Sequence, residues 1–455
     1  MTKPSPKSAR GGAGVDERQR IAGVLFGCWL AVVPVKFGNP VIFEHMLGVP
    51  EGFYGLLLSS WPVPWSYAAL GLIAIAAVLA WRWKPSVPKW LAVLPLAWFA
   101  WTLLSATQTA PDAARLTLLT LLQFGGCVLC FYAGMFGLSE LRDFRPLWAG
   151  LAVGLVFILA TALHQHFGGL EETRRWFEQQ PPEVRAQFDT PEFRKKILSD
   201  RVFGTFVYPN ALAGGLLLLL PVTLAGVGQL GHNIAIRWTL CGALSLGGLA
   251  ALYWSGSKSG WLIALTMAGL ALWRMPARFS FKAIVLTGLV ALGVAAFLAK
   301  HGAYFEKGAS SLSARRDYWR AAGKMVQQKP LLGYGPGAFQ RQYGILKPAD
   351  AEMAKLAHND YLQQAADSGI PAGLAYAGFI AASILLLYRR STLTHARFAA
   401  WLGAFGFAAQ SLTEFGLYIP ALAWPFFLFL GWLWGASPNQ IDNPIPPSYL
   451  SPAKK

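Results

Sequence analysis

The chain has 455 residues, of which 55% are hydrophobic, 14% aromatic and only 13% charged, with a mean hydropathy of +0.41. Soluble domains carry about 25% charged residues, so this composition excludes an ordinary water-soluble fold and belongs to a membrane protein. The formal net charge of +17 raises the question of a nucleic-acid partner, which the distribution of charge along the chain answers below.

The predicted elements follow in chain order. Residues 1–20 are polar and basic, lack a small-residue cleavage site at the following apolar run, and read as a disordered cytoplasmic tail. Runs of about 20 apolar residues are needed to cross a bilayer. Five such runs come first, near 21–37, 64–81, 90–106, 116–136 and 147–166. Cys127 and Cys130 form a CxxC inside the fourth, without His or acidic neighbours, and read as small packing residues. His164 and His166 have a spacing suited to metal ligands, but two ligands cannot close a site.

A first external segment, about 167–206, contains three prolines and amphipathic patterns (WFEQQ, PEFRKKIL) suited to short helices lying on the membrane. It ends in RVFGTFVYPN. There Arg201 is read either as an interfacial anchor or as a cation facing an anionic headgroup, with Asn210 just inside the sixth span. The sixth to ninth spans are expected near 207–228, 238–254, 259–273 and 283–299. The hairpin SGSKSG between the seventh and eighth places Lys258 among small hydroxyl residues and glycines. Snorkelling and anion binding both suit that lysine.

A second external segment, about 300–367, carries the densest pattern. In SSLSARRDYWRAAGKMVQQKP, Leu312, Arg315, Trp319, Ala322 and Val326 fall on one helix face. The Arg315 guanidinium either snorkels to lipid phosphates or turns into a cavity to grip a phosphate with two parallel hydrogen bonds. LLGYGPGAF follows a helix and not a strand, which argues against a dinucleotide loop, and it reads as a turn back toward the membrane. In AHNDYLQQAADSGI, His358 stands at a helix N-terminus, where the dipole disfavours imidazolium, with Asn359 and Tyr361 beside it. A neutral imidazole there suits proton acceptance near neutral pH.

Three more spans are expected near 368–388, 398–415 and 418–435. Glu414, the only acid of the last hairpin, is expected to orient a cation or a histidine. The proline-rich segment 437–455 reads as a second disordered cytoplasmic tail, which leaves 21–436 as one transmembrane domain.

With the N-terminus inside, the cytoplasmic segments hold 19 basic and 5 acidic residues, and the external ones 20 and 17. Nearly all of the excess charge is therefore the positive-inside signal of a chain with an even number of spans. No nucleic-acid partner is needed to explain it. The expected fold is an all-α polytopic membrane protein of about 12 transmembrane helices. The external face gathers Arg201, Lys258 and Arg315, a candidate base in His358, and no paired acids to hold a metal. That layout suits holding a diphosphate and stabilising it as a leaving group, without metal or cofactor.

The blocks RVFGTFVYPNALAGGL, SGSKSGWL, SARRDYWRAAGKMVQQKPLLGYGPGAF and HNDYLQQAADSGIPAGL, in this order over about 201–373, resemble the O-antigen ligase and polymerase superfamily. The resemblance implies a bacterial inner-membrane glycosyltransferase with a periplasmic active site. Such a ligase moves a glycan from undecaprenyl diphosphate to a sugar hydroxyl of lipid A–core. The family's essential histidine falls on His358, and its essential arginines fall on Arg201 and Arg315. Lys258 stands where many relatives carry arginine, keeping the charge but losing the two-pronged grip. The implied reaction is a single inverting displacement, with His358 acting on the acceptor hydroxyl. Relatives that lengthen the glycan or glycosylate protein are alternatives within the superfamily. A transporter or flippase of a lipid-linked anion is the alternative of another class.

Overall fold

The computed structural model describes residues 7–82, 87–183, 185, 197–230, 233–306, 310–390 and 394–435. Regular structure among them is helical, and the one isolated bridge pairs Gly38 with Phe206. The principal helices are α1 (Lys7–Lys36), α2 (Gly52–Leu58), α3 (Val63–Ala80), α4 (Lys89–Ser105), α5 (Ala114–Phe136), α6 (Arg145–His164), α7 (Leu170–Glu178) and α8 (Pro209–Val227). They continue with α9 (Ile234–Ser255), α10 (Lys258–Arg274), α11 (Phe279–Glu306), α12 (Ser310–Gln328), α13 (Phe339–Leu346), α14 (Asp360–Arg390), α15 (His395–Gln410) and α16 (Pro420–Gly435).

Each of the twelve expected apolar runs is a helix. Among the described residues, nine helical segments are long and apolar enough to cross a membrane. The other three expected spans, α10, α15 and α16, are helices of 17, 16 and 16 residues. Helix α1 starts at Lys7, inside the segment expected to be a tail. Residues 437–455 lie outside the described residues. Of the helices expected in 167–206, WFE belongs to α7, whereas most of PEFRKKIL is outside the described residues.

Burial sorts the helices. Every residue of α16 is buried, so this short helix forms the centre of the bundle and gives its whole surface to protein. Helix α5 lies along it. A methyl group on Gly134 would sit 2.1 Å from the Leu428 carbonyl oxygen, and one on Gly431 would sit 1.9 Å from that of Phe131. Small residues let two backbones meet this closely where lipid supplies no hydrophobic push between helices. At the other extreme, α11 exposes Ile284, Leu286, Val290, Leu292 and Leu298, an apolar flank suited to lipid.

Polar residues mark where the helices depart from simple spans. Helix α14 begins at Asp360, eight residues before the expected boundary, because its first two turns bury their polar side chains in protein. Trp98 Nε1 donates to Gln364 Oε1 at 3.0 Å, and Leu417 N donates to Asp360 Oδ2 at 3.0 Å. The helix then breaks at Gly369 (φ 85°), just before Pro371. The glycine turn after α12 docks into that break. Tyr334 N and Gly335 N donate to the Asp367 carbonyl, and Ile370 N donates to that of Pro330 at 2.7 Å. Gly333 takes φ 64°, and a methyl group there would lie 2.2 Å from the same Asp367 oxygen. The expected turn back to the membrane is thus a clamp joining α12 to α14.

Candidate functional site

Three chain breaks meet at one end of the bundle: the approach to α8, the α9–α10 hairpin, and the α15–α16 hairpin. Cap helix α12 lies against them. Glu414 is at their centre, with its side chain 7% exposed. Its Oε1 accepts from Asn210 Nδ2 at 2.6 Å and from Arg315 Nη2. Its Oε2 faces His358 Nδ1 at 3.2 Å. Burial alone would raise the Glu414 carboxyl. The His358 hydrogen bond and charge, then Arg315 and Asn210, outweigh it and hold the group below its ordinary 4.5.

Arg201 completes the chain of contacts. Its Nη2 donates to Asn210 Oδ1 at 2.7 Å and its Nε donates to the Ser255 carbonyl at 2.7 Å. Burial lowers the pKa of this guanidinium, Glu414 opposes that effect and Arg315 adds to it. Arginine remains charged throughout the working range of a protein. Arg315 also donates through Nε to the Thr413 carbonyl at 3.1 Å, so its guanidinium turns inward and does not snorkel.

Lys258 is the first residue of α10, whose N-terminus is capped by Ser257 Oγ accepting from Gly260 N. It lies within electrostatic reach of Arg201 and Arg315. Two cations thus share one carboxylate, Arg315 directly and Arg201 through Asn210, and Lys258 lies close to both guanidinium groups. Among the described residues, no three His, Cys, Asp or Glu side chains are placed to hold a metal ion.

His358 adopts φ 51°, a left-handed conformation that among the described non-glycine residues it alone takes. Histidine is one of the few side chains found there with any frequency, and held outliers of this kind cluster at functional sites. The next residue, Asn359, caps α14 by accepting from Leu362 N at 2.9 Å. His358 therefore stands outside the helix, and Tyr361, expected beside it, does not share a helix face with it. Tyr361 instead donates to the Ala408 carbonyl at 2.8 Å, away from the imidazole. The imidazole packs between Phe415 (4.7 Å, edge-on) and Tyr318 (5.7 Å, stacked). Tyr318 donates to Glu352 at 2.7 Å, and burial followed by that carboxylate pushes its phenol pKa up, which keeps it a donor.

His358 and Arg201 line a cavity of about 720 Å³ whose wall also includes Tyr208, Phe415, Tyr318 and Lys355. Arg315, Glu414 and Lys258 are not part of that wall. The arrangement has a definite chemistry. With Glu414 ionised and acceptor-only, Nδ1 of a neutral His358 carries the hydrogen and donates it, which leaves the Nε2 lone pair free to take a proton.

Residues 243–377 match the family model described as O-Antigen ligase. This stretch, under a third of the chain, is similar to the O-antigen ligase superfamily. The match covers the hairpin with Lys258, helix α12 with Arg315, the glycine turn and His358. A search of curated proteins finds no match. The superfamily acts on lipid-linked glycans.

Arg201, Asn210 and Glu414 lie outside the matched stretch, and the fold brings them to it. Of the expected site residues, Arg201, Asn210, Arg315, His358 and Glu414 form one bonded network, and Lys258 sits close by. Asn359 serves as a helix cap and Tyr361 lies elsewhere. Two residues escaped the sequence reading. Gln165 accepts through Oε1 from Phe203 N and Gly204 N, and donates through Nε2 to the Gly204 carbonyl, which pins the segment behind Arg201. It sits on a π-turn (Gln165–Gly169) closing α6, a feature often found at functional sites. Lys355, three residues before His358, had a legible signal: a lone cation entering the polar block.

Proposed function

We propose that the chain is an O-antigen ligase of the bacterial inner membrane. In this reading it has twelve spans, both termini in the cytoplasm and the Glu414 network facing the periplasm. It transfers a glycan from undecaprenyl diphosphate to a sugar hydroxyl of lipid A–core. The observation that carries the reading is His358, paired with Glu414, in the wall of a cavity that Arg201 also lines.

The mechanism follows from that pair. His358 Nε2 takes the proton of the acceptor hydroxyl as its oxygen attacks the anomeric carbon from the face opposite the diphosphate. The glycosidic bond to the acceptor forms as the bond to the diphosphate oxygen breaks, with inversion. Glu414 holds the imidazole in the required tautomer and stabilises the imidazolium. Arg201, Arg315 and Lys258 offset the charge that grows on the departing diphosphate, which is the transition-state stabilisation the reaction needs. Cations already in place make the transfer metal-independent. An apolar crevice of about 270 Å³ between α8, α9 and α10, lined by residues such as Leu220, Leu252 and Met267, suits part of the polyprenyl tail.

The test is transfer by purified protein from lipid-linked glycan to lipid A–core in the presence of EDTA. Glycosylated core is the expected product. Lengthened lipid-linked glycan alone would make the protein a polymerase, and no product with either acceptor would favour transport.

A further inference from the structure

The cavity beside His358 extends beyond the groups that the transfer step uses. From the imidazole an aromatic wall runs along it. Phe415 packs edge-on to His358 at 4.7 Å, Tyr208 on Phe415 at 5.4 Å, and Phe43 on Tyr208 at 6.0 Å. At its far end Lys355 Nζ sits 4.4 Å from the centre of the Phe43 ring. An ammonium held over an aromatic face is positioned without being neutralised. The acid that shares this wall, Glu352, receives the Tyr318 hydroxyl at 2.7 Å. Aromatic faces alternating with polar groups suit saccharide rings, which present apolar C–H faces and polar edges.

We propose that this wall is the acceptor subsite and that Lys355 binds an anionic substituent, a phosphate or a carboxylate, on the acceptor saccharide. The inference rests on the ligase reading and adds the substrate class: an acidic sugar chain. Two observations favour the acceptor over the donor as the source of that anion. Of the cations bonded into the Glu414 network, Arg201 meets Ser255 at the α9–α10 hairpin and Arg315 meets Thr413 in the α15–α16 hairpin, and the apolar crevice suited to a lipid tail lies among α8, α9 and α10. Lys355 instead belongs to the cap between α13 and α14 and rests against Phe43 of the 41–46 turn. A saccharide stacked along the aromatic wall would bring its hydroxyl to His358 and its acidic group to Lys355.

The experiment compares phosphorylated core acceptor with the same acceptor after phosphatase treatment, using wild type, Lys355→Met and Lys355→Arg. A partly exposed charge-assisted contact predicts an acceptor KM about five- to twentyfold lower for the phosphorylated form in wild type, a preference lost in Lys355→Met and kept in Lys355→Arg. A rise in donor KM instead, or equal losses on both acceptors, would overturn the proposal. Binding of the two delipidated core oligosaccharides, measured by calorimetry, decides the matter separately from transfer. Tighter binding of the phosphorylated form in wild type and not in Lys355→Met sustains the subsite even if wild type forms no product. Equal binding, or none, removes it, and active wild type would then leave the ligase reading standing.

Discussion

At the residue scale the site turns on one buried carboxylate. Glu414→Gln tests its role with little change in shape. An amide can satisfy Asn210 and Arg315 with its oxygen only by aiming its NH2 at His358 Nδ1. That forces Nδ1 to accept and puts the hydrogen on Nε2, where the acceptor hydroxyl must deliver its proton. The expected loss in kcat is about 10²–10⁴-fold, the usual worth of a positioned general base, with donor KM little altered. Single-turnover kinetics separates this from a binding defect.

Glu414→Ala should also destabilise the fold by about 3–5 kcal/mol, because it strands the Arg315 charge in a buried setting. The pH dependence follows from the direction of the Glu414 shift. A carboxyl depressed by folding contributes fully above its unfolded value and loses that contribution as pH falls through the folded one. The difference in thermal stability between wild type and Glu414→Gln is therefore expected not to shrink from neutrality down to its ordinary 4.5 and to shrink only below it. A difference that shrinks between pH 7 and 5 would argue against a depressed carboxyl.

At the element scale, the site depends on breaks in helices more than on helices. The approach to α8 carries Arg201 and is pinned by Gln165 through three backbone contacts. Gln165→Ala leaves those backbone groups without their partner and lets Arg201 drift from Asn210. Loss of such positioning is expected to reduce kcat by about 10–10²-fold while the helical content measured by circular dichroism stays the same. Gln165→Glu, which keeps an acceptor for Phe203 N and Gly204 N, should recover part of the loss. No recovery, with melting of the fold in both variants, would make Gln165 a structural residue only.

The helices themselves were legible, since twelve apolar runs are a strong pattern that needs no tertiary information. The breaks were legible less completely. Glycines flagged Gly333 and Gly335, but the break at Gly369 lies inside an expected span, and the docking of one break on another depends on contacts between segments far apart in sequence. His358 shows the limit most clearly. Its spacing from Tyr361 implies a shared helical face, yet its left-handed φ takes it off the helix and turns it to Glu414, 56 residues away.

At the scale of the whole molecule, a fully buried α16 at the centre and lipid-suited helices such as α11 at the edge describe a rigid core with a cavity opening at one end. The family match covers residues 243–377, but the network closes only when Arg201, Asn210 and Glu414 are supplied from outside it. Composition alone reached the membrane and the helices. Residue types reached the cations and His358. What they could not reach was that one acid serves Arg315, Asn210 and His358 together, because that depends on α12, the start of α8, the approach to α14 and the last hairpin meeting in space.

The most direct test of the central claim is transfer of glycan from undecaprenyl diphosphate to lipid A–core by wild type and His358→Ala, purified, folded and assayed with EDTA. The account expects wild type to form glycosylated core. It expects His358→Ala to lose at least about 10²-fold in rate while still binding the donor. Undiminished transfer by His358→Ala would contradict it.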